Sequence, residues 1–223
     1  MPLFISAESI EDLAMPTTRC LPIDSHEALP AALHVLNNGG LVAFPTDTVY
    51  GLGVLMRDSQ AIERLFLAKG RDFNKAIAVL IGALEQLDDV AAEFPPQAQT
   101  LAQRFWPGAL TLVVAARPEL PANLSPLPTV GVRMPDHAAA RALLTAAGPL
   151  ATTSANRSGQ PNPLTAQDVL DQLDGRLDLL LDGGPTPGGV PSTVVDCTQP
   201  HLPILRQGHL TAELIADALS QKD

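Results

Sequence analysis

Lys69, Arg71 and Lys75 place three cations within seven residues of a chain that holds only 14 lysines and arginines. A polyphosphate asks for such density, with arginine as a two-pronged fork and lysine as a point charge. The plainer reading is that cations at the C-terminal end of a helix relieve its dipole. Arg133 ends the run TVGVRM (129–134), and an arginine emerging from a buried strand is seldom there for solubility. It either pairs with an acid such as Asp136 or receives a carboxylate-bearing substrate. Arg206 adds a cation after the apolar Ile204 and Leu205.

Three further stretches offer small polar groups. PTDTVYGLG (45–53) follows an apolar run and supplies two threonines, one carboxylate and two glycines, enough to bind a small polar ligand or to build an Asp/Thr turn. TTSANRSG (152–159) has hydroxyl and amide side chains that can read a nucleotide by short hydrogen bonds, or cap a helix. Gly183-Gly184 and Gly188-Gly189-Val190-Pro191-Ser192-Thr193 let backbone approach a ligand closely, or connect two strands. No GxGxxG, Walker A or GxSxG spacing occurs, and the five histidines form no triad pattern, which argues against hydrolysis through Ser154. Cys20 and Cys197 fit no ligand spacing, so two reduced thiols and no metal site are expected.

The chain of 223 residues carries 24 acids against its 14 cations, a net charge of −10. That balance excludes a surface that adheres to nucleic acid over its whole extent, but not a local basic pocket. A hydrophobic fraction of 46% supplies ample core and excludes global disorder. The acidic N-terminus reads as neither a secretory signal nor a mitochondrial leader, and no apolar run approaches the ~20 residues needed to span a bilayer. A cytoplasmic protein without membrane partners is expected.

The elements that would position these groups alternate along the chain. Residues 1–20 read as an arm with a short helical patch over Ser9–Ala14, and 21–223 as one domain. Apolar residues at helical spacing predict helices over 28–36, 59–68 with Asp58 or Ser59 as cap, 84–92, 96–105, 165–173 and 211–220. Another is predicted from a cap at Asp136 to Ala147, ended by Gly148-Pro149. Short apolar runs predict strands at 41–44, 76–81, 111–116, 129–134, 150–153, 177–181, 192–196 and 203–206. The alternation implies a single α/β domain with a largely buried sheet, its polar loops lying at strand ends where sites in open sheets form.

In order and spacing, PTDTVYGLG, the KGR…K segment, WPGALTLV, VGVRMP, TSANRSG, LDGG, STVVD and ILRQG closely resemble the YrdC-like family, the threonylcarbamoyl-AMP synthases, from about Leu21 to Leu219. The resemblance implies a twisted mixed sheet, parallel and antiparallel, with flanking helices around a deep positively charged cavity. It implies a nucleotidyltransferase that joins L-threonine, bicarbonate and ATP, taken with Mg2+, into threonylcarbamoyl-adenylate and pyrophosphate. Partner proteins then transfer the threonylcarbamoyl group to ANN-decoding tRNAs, so tRNA binding by the chain itself is expected to be weak or indirect. Carried over by position, threonine contacts fall on Thr48, Arg133, Thr152 and Ser192. Nucleotide contacts fall on Arg71, Lys75, Thr129, Ser154, Asn156, Asn162 and Arg206, with Lys69, Arg71 and Arg206 as the catalytic cations.

The chain departs from the family pattern at Leu80, where longer members have histidine, and at Pro191, where glutamate is usual. Its end at Asp223 suggests a short member that works with separate partners. The alternative from another class is an RNA-binding module of the same fold. One tryptophan, one tyrosine and six phenylalanines, with no aromatic–basic interleaving, argue against it. A carbamoyl-transfer domain of the hydrogenase-maturation type would need zinc-finger cysteines that are lacking, and a degenerate paralogue sits poorly with the intact KGR, SAN and STVVD segments.

Overall fold

The computed structural model describes residues 17–220, so the patch over Ser9–Ala14 and most of the expected arm lie outside the described residues. The order is β1 (Arg19–Pro22), α1 (Ala28–Asn37), β2 (Val42–Phe44), β3 (Gly51–Leu55), α2 (Ser59–Lys69), β4 (Ala78–Leu80) and a 3₁₀ helix (Leu84–Asp89). Then come α3 (Pro96–Phe105), β5 (Leu110–Ala115), β6 (Thr129–Arg133), α4 (Ala138–Ala147), β7 (Leu150–Ser154), α5 (Ala166–Leu173), β8 (Leu179–Asp182), β9 (Thr193–Asp196), β10 (Ile204–Arg206) and α6 (Ala212–Ser220).

The ten strands form one sheet in the order β1-β8-β2-β3-β7-β4-β6-β5-β9-β10. The β1–β8, β2–β8, β4–β6 and β5–β9 pairs are parallel, and the other five are antiparallel. The mixed α/β sheet is therefore as expected. It begins earlier than expected, because Arg19 and Cys20 pair with Leu179 and Leu180.

Three local expectations are corrected. The glycines of PTDTVYGLG lie in β3, not in a loop. There they admit close neighbours, since a Cβ on Gly51 or Gly53 would stand 3.0 Å from Thr152 or Phe44. The N-cap of α4 is His137, not Asp136: its Nδ1 accepts from the Ala140 N–H at 3.2 Å, while the Asp136 N–H donates to Asp47. The helix expected over 84–92 is a 3₁₀ segment that stops at Asp89 and buries none of its residues.

Strand alternation builds two layers of core, because successive side chains point to opposite faces. Val79, Leu112, Val132, Ala151 and Leu180 face one side, where α2, α3, α5 and α6 cover them with Ile62, Leu65, Phe66, Leu101, Val169 and Ile215. Val42, Phe44, Leu80, Leu150, Leu179 and Leu181 face the other, under Ala32 and Leu36 of α1 and Leu143 and Leu144 of α4. Those two helices cover only part of the second face. Its remainder, over β4, β7, β6, β5 and β9, is the floor of a cavity.

Candidate functional site

The cavity encloses about 360 Å³, at the lower end of ligand-pocket sizes. Its floor follows from strand parity: Thr111 and Val113 on β5, Gly131 and Arg133 on β6, and Thr152 and Ser154 on β7 alternate with the core residues just described. Ser192 enters where β9 begins, and Leu205 and Arg206 come from the edge strand β10. Arg71 reaches the wall because Gly70, at φ +58°, ends α2 in a left-handed turn.

Eight of the twelve expected site residues line this cavity: Thr48, Arg71, Arg133, Thr152, Ser154, Asn162, Ser192 and Arg206. Four do not. Lys75 is exposed after the Asp72–Lys75 turn, and Thr129 lies on the Arg133 face of β6 but beyond the wall. Lys69 and Asn156 are buried behind it. Lys69 donates to the carbonyls of Ser154, at 2.5 Å, and Asn156, and is 3.4 Å from Asn156 Oδ1. Asn156 in turn donates to the carbonyls of Arg157 and Gln160, so the pair ties the Ser154–Gln160 turn together. Burial, then the charge of Arg71, brings the Lys69 ammonium down to about 7.

Three guanidinium groups give the cavity its sign. Burial lowers the pKa of Arg71, Arg133 and Arg206, with Arg71 pressing further on Arg206, and Arg206 on Arg133. Clustered, partly desolvated cations of one sign favour an anionic ligand. Arg71 Nη2 donates to the Ala76 carbonyl at 2.9 Å, but its buried Nε has no partner. Arg133 pairs with Asp47 at 2.5 Å and not with Asp136, which was the acid suggested by nearness in sequence.

The hydroxyl groups supply the opposite polarity. Thr46 donates to the Val49 carbonyl at 2.7 Å, so in its 3.0 Å bond with Thr48 the hydrogen comes from Thr48. Thr48 also accepts from Arg133 Nη1 at 2.9 Å, which leaves one lone pair and no hydrogen. Thr152 donates to the Leu150 carbonyl at 3.0 Å and Ser154 to Asn156 Oδ1 at 2.6 Å, so both offer a ligand lone pairs only. Thr111 and Ser192 share one bond of 2.7 Å, and Arg206 donates to Ser192, leaving one hydroxyl hydrogen of the pair unspent. Thr111 and the pairing role of Asp47 escaped the sequence reading, and Thr46 entered it only as one of the two threonines of PTDTVYGLG. A threonine at Thr111, out of phase with Leu110, Leu112 and Val114, is the signal that could have found one of them.

The Sua5/YciO/YrdC family model, described as "Telomere recombination", matches residues 34–208. The threonylcarbamoyl-AMP synthase of Bacillus subtilis (strain 168) is 44% identical over 195 residues, covering 86% of this chain and 56% of its own. That of Pyrococcus abyssi (strain GE5 / Orsay) is 43% identical over 188 residues, covering 83% and 55%. The chain thus spans about half the length of these curated relatives. The crystal structure of P. abyssi Sua5 complexed with L-threonine superposes with a TM-score of 0.85 at 40% identity, over 92% of this chain and 60% of that one. A fold, a cavity and a match that runs across most of the sequence agree, and the chain belongs to the Sua5/YciO/YrdC family.

Proposed function

We propose that this chain is an L-threonylcarbamoyladenylate synthase, a nucleotidyltransferase that condenses L-threonine, bicarbonate and ATP into threonylcarbamoyl-AMP and pyrophosphate. The observation that carries the reading is the division of one cavity into guanidinium donors (Arg71, Arg133, Arg206) and hydroxyl acceptors (Thr48, Thr152, Ser154). A zwitterionic amino acid beside a polyphosphate has the matching halves. In support, the P. abyssi relative was crystallised with L-threonine.

Arg133 takes the substrate carboxylate, while the lone pairs of Thr48 and Thr152 accept from the amino group or the side-chain hydroxyl. Arg71 and Arg206 take the triphosphate, with Lys75 and Thr129 at its margin and Asn162 on the wall. Lys69 and Asn156 act from behind, by holding the turn that carries Ser154. The amine attacks CO₂, releasing a proton, or bicarbonate, releasing water, and in either case the new N–C bond gives a carbamate. A carbamate oxygen then attacks the α-phosphorus and the α–β bridging bond breaks, with its electron pair leaving on pyrophosphate. Such a step draws on orientation and charge neutralisation more than on a strong base. Magnesium enters with ATP as part of the substrate. Among the described residues, no group of three His, Cys, Asp or Glu is placed to hold a metal.

Transfer to ANN-decoding tRNA then falls to partner proteins, in the cytoplasm where ATP and tRNA are found. Among the described residues, no helix is long and apolar enough to cross a membrane. The test is incubation with ATP, magnesium, bicarbonate and labelled L-threonine, following pyrophosphate and the mixed anhydride. Folded protein that releases no pyrophosphate in response to threonine would refute the reading.

A further inference from the structure

We propose that Asp47 is a positioning residue that aims the Arg133 guanidinium into the cavity, a role that rests on the reading of Arg133 as the carboxylate site. Arg133 has five N–H donors. Nε donates to the Gly108 carbonyl at 2.9 Å, Nη1 to Thr48 at 2.9 Å and Nη2 to Asp47 Oδ1 at 2.5 Å. One N–H remains on each terminal nitrogen, so the guanidinium keeps two donors for a substrate carboxylate.

Asp47 does not itself line the cavity, whereas Arg133 does, so any effect on a ligand passes through the guanidinium. The carboxylate is held in turn. Its Oδ1 accepts from the Asp136 N–H at 3.1 Å, and its backbone is packed so closely by Gly188 that a Cβ there would stand 2.6 Å from the Asp47 carbonyl. Thr48, next in sequence, is pinned by the Gly189 N–H at 2.8 Å. The side chains of Asp47 and Arg133 are 15% and 7% exposed, so the pair is shielded from solvent and its geometry is set by the protein.

Three roles predict different results. Positioning requires an acceptor at Oδ1 but not its charge. Asp47→Ala should then raise the KM for L-threonine roughly ten- to hundredfold, with the KM for ATP within about threefold. Asp47→Asn, whose amide oxygen still accepts from both partners, should stay within about threefold of the parent for both substrates. If Asp47 only offsets charge, both variants free the guanidinium and the KM for threonine falls. If it only stabilises the fold, the melting temperature falls and both KM values rise together. Either pattern overturns the proposal.

A second measurement needs no turnover. In the parent, the Nη resonances of Arg133, assigned by their loss in Arg133→Lys, should be resolved by hindered rotation. They should average in Asp47→Ala and stay resolved in Asp47→Asn. Resonances unchanged in Asp47→Ala refute the positioning role even in an active enzyme. Absence of threonine-dependent pyrophosphate release by the parent refutes the proposed activity, while the resonances still decide the role of Asp47.

Discussion

Arg206 holds Ser192 twice: Nε donates to its backbone carbonyl and Nη2 to its hydroxyl, both at 3.1 Å. The grip joins the edge strand β10 to the residue just before β9 and presents both side chains to the cavity. A lysine has no fork with which to reproduce it. Arg206→Lys should lower kcat/KM for ATP by about ten- to hundredfold, the equivalent of losing one or two charge-assisted hydrogen bonds. Steady-state pyrophosphate release checks this, and a change below about threefold would remove Arg206 from the nucleotide site.

Thr111 tests the hydroxyl relay. Thr111→Val keeps the shape but removes the 2.7 Å partner of Ser192, so the hydroxyl hydrogen left to the pair, that of Ser192, is no longer held in one direction. A loss of about 1 kcal/mol in stability is expected, with a fall of about tenfold in kcat/KM for whichever substrate accepts that hydrogen. Denaturant unfolding alongside kinetics separates the two effects, and unaltered kinetics would make Thr111 structural only.

Lys69 gives a pH dependence of definite sign. Its ammonium, at about 7 in the fold, compares with an ordinary value of 10.5. Between those limits the unfolded chain binds the proton and the native chain does not, so this group raises stability as pH increases. Below about 7 both states are charged and the cost of burying the ammonium is borne in full. Relative to Lys69→Met, the parent should therefore gain stability from pH ~6 to ~9, with a limiting slope of about 1.4 kcal/mol per pH unit. Melting temperatures of the two proteins across that range provide the check. A constant difference would mean that the carbonyls of Ser154 and Asn156 keep Lys69 charged throughout.

Tyr50 holds the glycine-rich strap. Its buried hydroxyl donates to the Gly184 carbonyl at 2.8 Å and accepts from the Gly183 N–H at 3.2 Å, and burial pushes its pKa up to about 12. Tyr50→Phe leaves both backbone groups short of a partner and should cost about 1–3 kcal/mol. Hydrogen exchange at Gly183 and calorimetric melting would register the loss, and a variant as stable as the parent would show that these groups find other partners.

Much of this was legible residue by residue. Ile62, Leu65 and Phe66 recur at helical spacing and are the buried face of α2, and Asp58 caps it by accepting from the Ala61 N–H. Arg71, Arg133 and Arg206 were singled out by type and position, and all three line one cavity. β3 was missed because glycines have little strand propensity of their own. That strand exists because β2 and β7 pair with it on either side. Asp136 was the acid nearest to Arg133 in sequence, yet the partner is Asp47, 86 residues away, because chain proximity says nothing about which loops the sheet brings together.

Most helix positions, strand parity and the sign of the cavity follow from short-range chemistry, since helical spacing, alternation and side-chain charge are properties of neighbouring residues. Which part of a sheet face α1 and α4 leave open, which carboxylate meets Arg133, and whether Lys69 faces a ligand or the Ser154–Asn156 turn were decided only when the ten strands closed into one sheet. Those outcomes depend on contacts between distant segments, where one buried charge accepts whatever partner the packing delivers.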